Sequence, residues 1–160
     1  HVVANPLINI TLQGRHDSYP KRRGMTRVPE LMAAGINVAF GHDCVMDPWY
    51  SMGTHDMLDV AHMGLHIGQM TGRKQMLQAF DAVTSNGAKV LGLSHYGLEV
   101  GCHADLVILQ ATSAIEALQL RPTRLFVIRR GNVIAKSSPC VSQINFEKET
   151  VEVDFTSSIF

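Results

Sequence analysis

The 160 residues suffice for one ordinary domain but not for a complete eight-stranded α/β barrel, which takes about 250. Hydrophobic residues make up 46% and charged residues 18%, so the chain can bury a substantial core and does not have a disordered composition. Fourteen Lys and Arg balance fourteen Asp and Glu, and that neutrality offers no electrostatic footprint for nucleic acid or an anionic membrane as partner.

Cys44, Cys102 and Cys140 are odd in number, far apart and free of any Cys-x-x-Cys pair, so neither a disulfide framework nor a zinc knuckle is supported. No apolar run approaches the roughly 18 residues of a membrane span, and no leader pattern precedes the first element. A reducing, cytoplasmic setting is the expectation. The chain opens directly on a strand-like run, which suggests that upstream sequence completes the architecture.

In chain order, Val2 to Ile8 reads as a first strand, interrupted by Pro6. The polar stretch Leu12 to Gly24 is too long for a simple connector. Its cluster of Arg15, Lys21, Arg22 and Arg23 suits a solvated or salt-bridged loop better than an anion site. Thr26 is positioned to cap a short helix through Ala34, with Pro29 in its first turn and Gly35 as its stop. Ile36 to Phe40 then forms a buried strand, so strand, helix and strand follow the grammar of a parallel sheet.

That second strand ends in Gly41-His42-Asp43, then Cys44 and Asp47-Pro48-Trp49-Tyr50. An acidic residue at the C-terminal tip of a barrel strand lies in the mouth where chemistry occurs, although a turn-capping role suits the same position. Strand alternation points His42 away from the side of Asp43 and gives it a structural role.

Thr54 or Asp56 caps a helix over Met57 to Met70 with a broad apolar face and a polar stripe of Asp59, His62, His66 and Gln69. His62 and His66 have the i, i+4 spacing of a metal pair, yet Met63 stands where an HExxH motif needs its glutamate. A second helix over Arg73 to Val83 presents Met76, Leu77, Phe80 and Val83 to the core. From Gly97 the pattern becomes strand-rich. Leu106 to Leu109, a short helix over Ser113 to Leu120, a hairpin of Leu125–Arg129 and Asn132–Ala135 about Arg130-Gly131, and an alternating Thr150 to Phe155 follow.

Several of these motifs, in this order, resemble bacterial cytosine deaminases of the amidohydrolase superfamily. Asn5-Pro6-Leu7-Ile8-Asn9, Leu12-Gln13-Gly14-Arg15, Asp17 and Pro20-Lys21-Arg22-Arg23-Gly24 are similar to their barrel strand-seven segment. Phe40-Gly41-His42-Asp43 with Asp47-Pro48-Trp49-Tyr50 resembles strand eight, and His62-Met63-Gly64-Leu65-His66 continues the likeness. Gly97-Leu98-Glu99-Val100-Gly101 and Ala104-Asp105-Leu106-Val107-Ile108-Leu109 resemble the return into the β-sandwich.

The resemblance implies an α/β fold: the C-terminal part of a (β/α)8 TIM barrel, strands seven and eight with their helices, over residues 1–96. C-terminal strands of a small β-sandwich would occupy residues 97–160. It implies one divalent metal, iron or zinc, most of whose ligands lie outside this chain, with Asp43 as the ligand present here. The reaction implied is hydrolytic deamination of an amino-substituted nitrogen heterocycle. Asp43 would also shuttle the proton from water to the leaving amine, and Trp49 would wall the substrate pocket. The relatives commonly carry a second acid directly after the catalytic aspartate. This chain has Cys44 at that substrate-facing position, which leaves isocytosine, isoguanine, creatinine or an aminotriazine open beside cytosine.

Cys44 as a nucleophile lacks a partnered histidine. The competing reading is a catalytically inactive structural or oligomer-forming fragment, since related enzymes form homo-oligomers and the missing strands would leave apolar surface exposed. A phosphate-binding role for Arg15, Arg22 and Arg23 lacks a Gly-rich cradle.

Overall fold

The computed structural model describes residues 1–146 and 149–153, which fall into two compact units, the second beginning at Gly97. In the first unit, β1 (Val2–Ala4) and β2 (Val38–Phe40) pair in parallel, with Val2 opposite Val38 and Ala4 opposite Phe40. The ladder runs one bond further, from Gly41 N–H to the Ala4 carbonyl at 2.9 Å. All three β2 residues are at most 4% exposed. Burying Val or Phe side chains contributes about 1.5–3 kcal/mol each, so β2 is the natural centre of this core.

The first strand is shorter than its apolar run suggests. Helix α1 (Pro6–Leu12) takes over at Pro6, whose missing N–H costs nothing in a first helical turn. Pro6, Leu7 and Ile8 are buried, and α1 packs against α3 (Met57–Ile67). Tertiary burial therefore overrides the β preference of Ile8 and Ile10. The loop from Gln13 to Thr26 is tied by a bidentate Arg22–Asp17 pair at 2.7 Å and by Lys21 Nζ donating to the Arg15 carbonyl at 2.9 Å. The guanidinium of Arg22 holds the Asp17 carboxyl below the usual carboxylate range.

Helix α2 (Val28–Ala33) has Arg27, not Thr26, at its N-cap. It ends in a Schellman turn: Gly35, at φ +77°, donates to Met32 O, and Ile36 N–H reaches Leu31 O. Helix α3 starts on Asp56, whose Oδ1 accepts from Leu58 N–H at 2.9 Å. It stops at Ile67, three residues earlier than the apolar pattern suggests, through the same turn with Gln69 in the left-handed region at φ +51°. That turn brings Met70 back into the core, 1% exposed.

Helices α4 (Arg73–Ala82) and α5 (Ser85–Val90) both pack on β2. The buried residues of α4 are Ala79 and Ala82, while Leu77 is 46% exposed, so its core face is narrower and smaller than expected.

The second unit contains β3 (Leu106–Leu109), α6 (Ala114–Leu120), β4 (Arg124–Arg129) and β5 (Asn132–Lys136), the strands forming an antiparallel sheet in the order β3-β4-β5. Ser113 caps α6, accepting from Glu116 N–H at 3.2 Å, while Glu116 Oε2 receives Thr112 N–H at 2.5 Å. The β4–β5 turn places Arg130 and Gly131 at φ +47° and +80°, as a two-residue hairpin with right-handed twist requires. β6 (Ser142–Phe146), which its sequence did not advertise, pairs antiparallel with β7 (Glu149–Val153). Asp154 and Phe155, the end of the alternating run, lie outside the described residues. No helix among the described residues is long and apolar enough to cross a membrane.

Candidate active site

Because β1 and β2 run parallel, their C-terminal ends lie side by side, and Asn5 and Asp43 come from those two ends. Asn5 Nδ2 donates to Asp43 Oδ2 at 3.0 Å. The other carboxylate oxygen, Oδ1, accepts from Cys44 Sγ at 3.2 Å. Asp43 is exposed and its backbone is left-handed, at φ +65°. Aspartate is among the few residues that tolerate this region, because its short side chain bonds locally.

Cys44 lies next to a second carboxylate, Asp47. The bond to Asp43, partial burial and the nearby Asp47 push the Cys44 thiol up to about 12 from 9.0. A thiolate there would add a third negative charge to the group, so the thiol keeps its proton and serves as a donor. Cys44 is therefore unsuited to nucleophilic attack at neutral pH.

Asp47 organises the loop that carries Trp49. Its Oδ1 accepts from the backbone N–H groups of Trp49 and Tyr50, both at 2.9 Å. These backbone donors, Tyr50 first, hold the Asp47 carboxyl below its ordinary range. Tyr50 is buried, whereas Trp49 is 65% exposed. Its indole is thus available on the surface, six residues after Asp43, rather than committed to the core.

His42 supports the loop from beneath. Its Nδ1 lies 2.9 Å from the Cys44 carbonyl, and since a carbonyl only accepts, the proton sits on Nδ1. Its Nε2 is buried with no partner among the described residues. The ring packs edge-on against Tyr50 and near His55. A Cβ at Gly53 would come within 2.6 Å of His42 Cε1, so the loop closes directly over the imidazole.

Among the described residues, no three or more His, Cys, Asp or Glu side chains gather as a metal site requires. The rings of His62 and His66 lie 4.4 Å apart between centroids on α3, tilted by 49°, with His66 Nδ1 at 2.8 Å from the His62 carbonyl. They do not join Asp43. A single exposed carboxylate, anchored through both oxygens and retaining free lone pairs, fits one ligand of a cation completed by other groups. A shallow depression of about 300 Å³ lies at the opposite end of β2, among Ile36, Asn37, Asp81, Asn86 and Lys89, and not at Asp43. Asn5 is the residue that sequence reasoning passed over. The signal was its place directly after the first strand, parallel to the strand that delivers Asp43.

Comparison with known proteins places the chain in a class. Residues 1–142 match the model of the Amidohydrolase family, and the chain belongs to that family. It is 35% identical over 140 residues to a pterin deaminase of Rhizobium rhizogenes, covering 86% of this chain and 32% of that protein. It is 34% identical to N-isopropylammelide isopropyl amidohydrolase of Pseudomonas sp. strain ADP, over 72% of this chain and 29% of the relative.

Among solved structures it is similar to 5-methylcytosine deaminase from Klebsiella pneumoniae, crystallised with 5-fluorocytosine. The TM-score is 0.83 and the identity 42%, covering 92% of this chain and 35% of that one. N-isopropylammelide isopropylaminohydrolase from Burkholderia multivorans superposes with a TM-score of 0.68 at 32% identity, over 73% of this chain and 30% of that one. The chain thus spans about a third of the length of the relatives it matches.

Proposed function

We propose that this chain is the C-terminal third of a metal-dependent deaminase that hydrolyses an exocyclic amine from a nitrogen heterocycle, a pyrimidine, pterin or triazine base. In this reading residues 1–96 supply barrel strands seven and eight with their helices, and the unit from Gly97 supplies strands of the accompanying β-sandwich. The observation that carries the reading is the Asp43 carboxylate, exposed at the tip of the buried strand β2 and held by Asn5 and Cys44. The deaminases among the relatives supply the reaction class.

Asp43, with ligands from elsewhere in the enzyme, would hold a single divalent cation, iron or zinc, which would supply hydroxide at neutral pH by acidifying water. Asp43 would also accept the proton released from water and deliver it to the departing amine. Addition of hydroxide to the ring carbon and loss of ammonia leave a carbonyl in place of the amine, so one water is consumed per turnover. Trp49 lays its flat face along the planar base. Cys44 sets a neutral thiol, its proton committed to Asp43, where related enzymes commonly place an acid, which shifts preference among ring substituents.

The remaining ligands come from other parts of the enzyme, so the 160 residues alone bind no stoichiometric metal and turn over nothing. The setting is a reducing cytoplasm, consistent with three unpaired cysteines. The test is a deamination screen of amino-pyrimidines, pterins and triazines on the complete enzyme, with ammonia release as readout. Stoichiometric metal on this chain alone, or no deamination of any ring by the complete metal-loaded enzyme, would refute the proposal.

A further inference from the structure

We infer that Asn5 is a positioning residue for the metal-binding carboxylate, an inference that rests on the reading of Asp43 as a ligand. Asn5 occupies the N-cap of α1, where asparagine usually turns its side chain back onto the N–H groups of the first helical turn. It makes no such bond. Its amide instead crosses from the end of β1 to the end of β2 and donates to Asp43 Oδ2 at 3.0 Å.

The crossing depends on the residue between. A Cβ at position 41 would collide with Asn5 Oδ1 and come within 3.2 Å of Val3 Cγ1, so only glycine leaves room for the amide. Asp43 meanwhile adopts a left-handed backbone at φ +65°, which residues other than glycine seldom occupy. A helix cap left unused, a glycine at a strand end and a left-handed aspartate thus converge on one carboxylate. Local preferences broken together at one point mark a site whose geometry is specified for another purpose.

With Asn5 on Oδ2 and the Cys44 thiol on Oδ1, the carboxylate is anchored at both oxygens and cannot rotate about its terminal torsion without losing a bond. A ligand fixed in this way does not have to be ordered when the cation arrives. Removing such outer hydrogen bonds typically lowers metal affinity or activity by about 10–100-fold.

The experiment compares Asn5→Ala and the isosteric Asn5→Asp with Asp43→Asn in the complete enzyme. Zinc affinity is read by competition with a fluorescent chelator, alongside steady-state kinetics and thermal unfolding of the metal-free protein. Both Asn5 variants should bind zinc about tenfold or more weakly and lose kcat by about 10–100-fold, with KM moving less than threefold and Tm almost unchanged. Zinc affinity and kcat within twofold of the parent would overturn the inference. So would a fall in Tm without a change in metal affinity, or loss of folding in both variants, since either assigns Asn5 to the fold. Asp43→Asn separates the two readings. If it too retains zinc and turnover, Asp43 is no ligand; if it loses both while the Asn5 variants keep them, only the role of Asn5 fails.

Discussion

Asn37 and Asn86 exchange side-chain-to-backbone bonds that tie α5 to the start of β2. Asn37 Nδ2 donates to the Asn86 carbonyl at 3.2 Å, and Asn86 Nδ2 donates to the carbonyl of Val38, beside Asn37, at 3.0 Å. The second bond matters because Val38 begins the buried strand β2, whose far end carries Asp43. One side chain thereby fastens α5 to the strand that delivers the site.

Asn86→Ala removes the side-chain donor to the Val38 carbonyl in a part-buried setting, while the backbone carbonyl at position 86 can still accept from Asn37. The cost should be about 1–3 kcal/mol, the usual penalty for a buried group left unsatisfied. Urea unfolding followed by far-UV circular dichroism measures it. An unchanged midpoint would show that this bond carries no stability.

Gln69 ends α3 in the left-handed region although it is not glycine. The side chain is exposed, so removing it sacrifices little packing. Gln69→Gly should raise stability by about 1 kcal/mol by relieving the backbone at this cap. A lower Tm in calorimetry would contradict that account.

Gly64 on α3 faces the ring of Phe40 on β2, and a Cβ there would come within 2.7 Å of Phe40 Cε2. Phe40 is only 4% exposed and has little room to withdraw. Gly64→Val should therefore destabilise the fold by about 2 kcal/mol, within the usual range for overpacking. The control is Gly87→Ala on α5, where an added Cβ meets nothing within 4 Å. Equal midpoints for the two variants would disprove the close contact.

The three thiols should differ in reactivity. A shift of Cys44 from 9.0 to about 12 reduces its thiolate fraction at pH 8 by about a thousandfold relative to an ordinary thiol. Cys140 is exposed. Iodoacetamide at pH 8, read by peptide mass spectrometry, should label Cys140 readily and leave Cys44 largely intact. Replacing Asp43 by Asn removes the first cause of the upward shift, so that variant should label faster at Cys44. Rapid alkylation of Cys44 in the parent would break the argument.

Asp43→Asn in the complete enzyme should lower kcat by about a hundredfold or more, the scale on which a positioned proton carrier contributes. The fold should survive, because the amide has the same shape at an exposed position. Ammonia release measured at saturating substrate gives the answer, and near-normal turnover would remove Asp43 from the chemistry.

What the sequence revealed and withheld follows from the range of the forces involved. The parallel pairing of β1 with β2 was legible because apolar runs and a connecting helix obey short-range rules. Helix α1 was not, since Ile8 and Ile10 are β-branched and the helical state of this stretch is decided by packing on α3. The Asp56 cap and the Arg130-Gly131 turn were readable from local chemistry. Leu77 on α4 misled because a helical period identifies a face but not what covers it.

The same limit applied to the site. Asp43 could be singled out from its place after a buried strand, whereas its bond to Asn5 joins residues 38 positions apart. No window of local sequence contains that contact. The thiol beside it was visible, but its burden of two neighbouring carboxylates depended on how the loop from Cys44 to Tyr50 folds back.

The left-handed turn at Asp43 has a practical bearing on any saturation library at this codon. Valine, isoleucine or threonine there would disturb the main chain as well as the functional group, so inactive clones would misreport which loss mattered. Asparagine and glycine accept that dihedral with least strain. Together they dissect position 43: one keeps the outline of the side chain without its charge, the other keeps only the bend.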